Sequence, residues 1–118
     1  MARHPWGVYD SAQMTLGEAL VAVWRQALVD ESDRVEIEGK KHRVTATSRS
    51  RLRTVAFEAG GQRFEGIEQN PRTQSRWAKL AREGKRVMQF QHGGRYVGVV
   101  AEGKLLRYPA WKSSKLPE

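Results

Sequence analysis

Histidines are the natural starting point for metal chemistry, and this chain has three, His4, His42 and His92. They are widely separated, and none forms an i, i+4 pair with a second ligand, so no metal site is expected. The absence of cysteine excludes thiolate zinc sites, iron–sulfur clusters, disulfides and cysteine nucleophiles. Glu65 and Glu68, close to Asn70, are the carboxylates best placed for acid–base work. Their context at the end of an expected strand suits solvent-facing groups paired with arginines better. Serines are plentiful, but none stands in a strand-turn-helix elbow that would activate it. His92-Gly93-Gly94-Arg95 lies between two expected strands rather than before a helix, and no GxxxxGK[ST] segment occurs. These residues point away from an enzyme and predict no cofactor.

Basic residues mixed with aromatics carry the stronger signal. The chain has 21 Lys and Arg against 13 Asp and Glu, a net charge of +8. Residues 71–118 alone hold eleven basic and three acidic side chains. Concentrated positive charge is the footprint of a polyanion binder, because each neutralised phosphate releases condensed counterions. Fourteen of the cations are arginines, the better bidentate partners of phosphate. The candidate phosphate contacts are Arg49, Arg51, Arg53, Arg72, Arg76, Lys79, Arg82, Lys85, Arg86 and Arg95. Tyr96, Tyr108 and Trp111, each beside or one residue from a cation, are candidate stacking faces. No motif identifies base-edge readers, so phosphate contact with DNA or RNA is expected to dominate, without sequence specificity. The alternative is a protein-interaction or assembly module that meets an acidic protein, or forms a homo-oligomer through a strand edge or the first helix.

The elements that position these residues follow from periodicity. Thr15 and Glu18 have capping-box spacing, and Leu16, Leu20, Val23, Trp24, Ala27 and Leu28 form one wide apolar stripe, predicting an N-terminal amphipathic helix. From Arg34 the period becomes two, with Val35 and Ile37 alternating with Glu36 and Glu38 up to the turn at Gly39. A second strand is expected over residues 42–47. Arg49, Arg51 and Arg53 share parity with Val55 and Phe57, so the next strand must begin near Leu52 or change phase at a bulge. Further strands are expected over residues 63–67, 87–91, 96–101 and 105–108, separated by Gly-rich turns or by a short helix. Asn70 and Pro71 read as N-cap and first helical residue, with Gly84 as the stop, placing that helix near residues 71–83. Thr73, Trp77, Leu80 and Ala81 fall on its packing side and Arg72, Arg76 and Lys79 on the other.

Runs of strands without strict alternation with helices favour α+β, with about six short, mostly antiparallel strands in a sheet or partly open barrel. Residues 1–13 read as an N-terminal arm, 14–109 as a single domain and 110–118 as a mobile basic tail. No apolar run approaches the roughly 18 residues of a membrane span, and the first residues lack a signal-peptide core. The expected compartment is the cytoplasm.

Overall fold

The computed structural model of the chain describes residues 16–47 and 51–107. Thr15, the expected arm over 1–13, Arg49, Tyr108, Trp111 and the expected tail lie outside the described residues.

The first helix, α1 (Leu16–Trp24), buries Leu16, Ala19, Leu20, Val23 and Trp24. Its last turn widens into a π-helical turn over Arg25–Val29, closed by the Asp30 N–H donating to Arg25 O at 2.8 Å. That turn adds Ala27 and Leu28 to the same buried stripe. An apolar arc this wide belongs against a sheet.

Seven strands supply the sheet: β1 (Arg34–Ile37), β2 (Lys40–Ala46), β3 (Arg53–Ala59), β4 (Gln62–Glu68), β5 (Val87–His92), β6 (Arg95–Ala101) and β7 (Lys104–Arg107). Each pairs antiparallel with its neighbour in sequence, so β1 and β7 are the edges of an open meander. The seven strands fall on the seven segments that alternation marks, one more than the overall figure of about six. β2 also begins two residues earlier than its alternation suggests, since Glu38 (φ 54°) and Gly39 (φ 79°) alone make the turn from β1. Two consecutive residues with positive φ match the right-handed twist of a tight hairpin.

One face of the sheet carries Val35, Val44, Val55, Phe57, Phe64, Met88, Phe90 and Val100, all buried with α1 and the π turn. Phe57 stacks on Phe64 at 5.6 Å between centroids and meets Phe90 edge-on at 6.0 Å, geometry that adds roughly 1 kcal/mol per pair beyond burial. Gly66 makes room for this cluster. A Cβ there would lie 2.8 Å from Met88 Sδ and 3.0 Å from Phe90 Cε1.

The opposite, outer face is covered only in part. The second helix, α2 (Arg76–Arg82), lays Trp77 and Leu80 over Val87, Val99 and Ala101 of β5 and β6. It is shorter than residues 71–83. Asn70 does not cap it: Asn70 Oδ1 accepts the Arg72 N–H at 2.8 Å in an Asx turn, and Ser75 is the true N-cap, accepting the Trp77 N–H at 2.9 Å. Asn followed by Pro favours a turn as readily as a helix start, and here the turn wins because the chain must first climb from β4 onto the outer face. Thr73 therefore sits in the connection, where its hydroxyl accepts from Gln69 Nε2. No helix among the described residues is long and apolar enough to cross a membrane.

Candidate nucleic-acid interface

The hairpin turn at Glu38-Gly39 fixes the register of β1 on β2, and that register sets Arg34 directly opposite Arg43 and Glu36 opposite Lys41. Val35 and Ile37 point into the core, so these four charged side chains share the outer face. A two-residue turn makes Ile37–Lys40 and Val35–His42 the hydrogen-bonded pairs; Arg34 and Arg43 form a non-hydrogen-bonded pair, the closer kind, with Cβ atoms about 5 Å apart. Both arginines are exposed, and the ion pairs of the described residues, Lys40–Glu58, Lys85–Glu83, Arg86–Glu31 and Arg86–Glu68, include neither. Two like charges held face to face destabilise a sheet unless something anionic sits between them.

Beside Arg43 the outer face opens into a groove of about 560 Å³, lined by Thr45, Thr54, Ala56, Glu65 and Ile67. The groove is open because the outer-face residues Thr45, Thr54 and Ala56 are too small to fill it. Thr45 and Thr54, directly opposite in register, share a hydrogen bond of 2.8 Å. A second depression of about 380 Å³ adjoins the first at Glu65, between Arg63, Gln91 and the Gly93-Gly94 turn. Glu65 pairs with Gln91, and Gln91 with Tyr96. Ala56 pairs with Glu65, and Arg43, next to the Val44–Val55 pair, borders the same groove as Ala56, so outer-face residues run from Arg34 and Arg43 past Ala56, Glu65 and Gln91 to Tyr96, five strand spacings or about 24 Å.

Tyr96 reaches this face through a bulge. Phe90 pairs with Gly98 but Gln91 with Tyr96, so Val97 is an extra residue in β6. Val97 is fully buried, whereas Tyr96 remains 47% exposed. Bulges re-aim side chains in this way.

The sequence candidates separate into two groups. Arg86 is engaged within the fold: its Nε–H donates to Glu68 Oε2 at 3.1 Å, and Nη1 donates to Leu28 O at 3.1 Å and Glu31 Oε2 at 3.4 Å. Its carbonyl accepts the indole N–H of Trp24 at 2.9 Å. Arg53 donates from Nη2 to Ser32 O at 2.6 Å, and its backbone N–H donates to Glu68 Oε1 at 3.1 Å. Arg82 closes the connection before α2, with Nη1 donating to Pro71 O at 2.7 Å and Thr73 O at 3.2 Å. Lys85 pairs with Glu83 at 3.7 Å. Arg82 and Lys85 are exposed as well; the second group is exposed and enters none of the ion pairs above. Arg72 and Lys79 extend from the connection and from α2, Arg76 lies over the Trp77 ring at 4.9 Å, Arg51 sits in the turn before β3 at φ 60°, and Arg95 begins β6. Because α2 rests on the outer face of β5 and β6, its cations flank the groove on the side away from Arg34 and Arg43.

Arg34, Arg43 and Arg63 are outer-face cations beside these depressions that charge counting along the chain misses. Turn length was the available signal, since a two-residue turn at 38–39 places residue 34 opposite residue 43. Among the described residues no group of three or more His, Asp or Glu side chains is placed to hold a metal ion. Compared with protein-family models, curated proteins and solved structures, the chain has no match in any of the three.

Proposed function

We propose that this protein is a small nucleic-acid-binding domain that receives a sugar-phosphate backbone on the outer face of its sheet. The observation that carries this reading is the cross-strand pair Arg34–Arg43, two exposed guanidinium groups with no acidic partner among the described residues, bordering a groove with a largely uncharged floor. Arginine forks match phosphate oxygens bidentately, and a bridging phosphate relieves the repulsion between the two. Arg72, Arg76 and Lys79 add positive potential from the α2 side. Glu65 is the one carboxylate in the groove lining, so the backbone is expected to follow the arginine rim rather than the centre of the floor. Backbone contact of this kind carries no sequence preference.

Fluorescence anisotropy with labelled single-stranded DNA, duplex DNA and RNA across a salt titration tests the reading. The expected result is binding that persists near physiological salt, with a log K against log salt slope corresponding to several released counterions. Loss of all binding below that salt would leave the charge of +8 without a nucleic-acid role.

A further inference from the structure

We infer that the polymer held on this face is single-stranded, with a base stacked on Tyr96 and the backbone running to Arg43; the inference rests on the nucleic-acid reading above. Three observations carry it. Tyr96 is the one exposed aromatic ring among the described large hydrophobic side chains, the others being Val29 and Leu106. The β6 bulge turns it onto the groove face while Val97 takes the core position. The row from Tyr96 to Arg43 crosses two depressions that meet at Glu65, which leaves the floor to uncharged bases while the phosphates keep to the arginine rim. Reading the bases of a duplex needs an element that projects into a groove. The helix on this face has only seven residues and lies flat, anchored by Trp77 and Leu80. A stacking platform beside a cationic rim is the arrangement that holds unpaired bases without reading their sequence.

Anisotropy with a labelled oligo-dT and a labelled duplex of equal length, at one salt near physiological, distinguishes the cases. The wild-type protein is expected to prefer oligo-dT. Tyr96→Ala is expected to weaken oligo-dT binding about 5- to 150-fold, the range for loss of one base–aromatic stack, whereas Tyr96→Phe, which keeps the ring, should stay within about twofold of wild type. Equal affinity for the duplex, or an unchanged affinity in Tyr96→Ala, would overturn the inference and leave the phosphate-binding reading standing. Failure of the wild type to bind either polymer would overturn both.

Discussion

The carboxamide of Gln26 is hydrogen-bonded to both backbone groups of Glu36, donating from Nε2 to the carbonyl at 3.2 Å and accepting the N–H on Oε1 at 2.8 Å. A side chain from the π turn thus behaves as a one-residue strand against the free edge of β1. Ser32 does the same one pair away, its hydroxyl accepting the Arg34 N–H at 3.1 Å and donating to the Arg34 carbonyl at 2.7 Å. Arg34 and Glu36 are the two β1 residues whose backbone groups face away from β2. With both occupied, this edge does not invite a second chain, which argues against a homodimer formed by pairing β1 strands.

Replacing Gln26 with Leu should therefore have two effects. Losing both bonds at Glu36 is expected to cost about 1–3 kcal/mol, read as a lower urea midpoint at unchanged m-value. The reopened edge should also produce concentration-dependent association in light scattering. A variant that is as stable and as monodisperse as the wild type would show that Gln26 does not guard the edge.

Arg86 is a structural arginine in this account. It neutralises Glu68, which is only 14% exposed, and supplies a cation to the carbonyl end of the first helical segment at Leu28. Arg86→Ala is expected to destabilise by about 2–3 kcal/mol through loss of charge-assisted bonds. Arg86→Lys should recover only part, because an ammonium cannot reach Glu68 and Leu28 with one planar fork. Chemical denaturation measures both. If Arg86→Ala unfolds like the wild type but binds nucleic acid poorly, its role is at the surface instead.

Gln69 and Gln89 form a buried amide pair, with Gln89 Nε2 donating to Gln69 Oε1 and Gln69 Nε2 donating onward to Asn70 O and Thr73 Oγ1. This network ties the connection before α2 to β5. Gln89→Leu should cost about 1–3 kcal/mol, since the Gln69 carbonyl is left buried without a donor. A double-mutant cycle with Gln69→Leu should show a coupling of at least about 0.5 kcal/mol. Additive effects would mean that the two amides act independently.

Much of the fold can be read from the sequence because its signals are local. The i, i+4, i+7 stripe from Leu16 to Leu28 names residues that are all buried, and the glycine turns at 60–61, 93–94 and 103 separate strands that pair with their neighbours. A meander needs little more than local turns to define its strand order. What the sequence hides is phase. Simple alternation through Tyr96, Gly98 and Val100 would send Tyr96 inward; the extra residue at Val97 reverses this and depends on pairing with β5. The site is less legible than the fold for a related reason. Arg53 and Arg86 look like Arg34 and Arg43 in composition, yet the Arg53 guanidinium is taken up by the Ser32 carbonyl and that of Arg86 by Glu68, from segments remote in sequence. Which cations remain for a ligand is a tertiary property.

The most direct test of the proposed outer-face phosphate site is the double substitution Arg34→Ala with Arg43→Ala, followed by the salt dependence of oligonucleotide binding. Removing two phosphate contacts should flatten the log K against log salt slope by about 1.4 for a single strand. Thermal stability should hold or rise slightly, because a like-charged cross-strand pair is relieved. Weaker, flatter binding by a protein at least as stable is the predicted result. A slope and affinity equal to those of the wild type would contradict the account and remove Arg34 and Arg43 from the site.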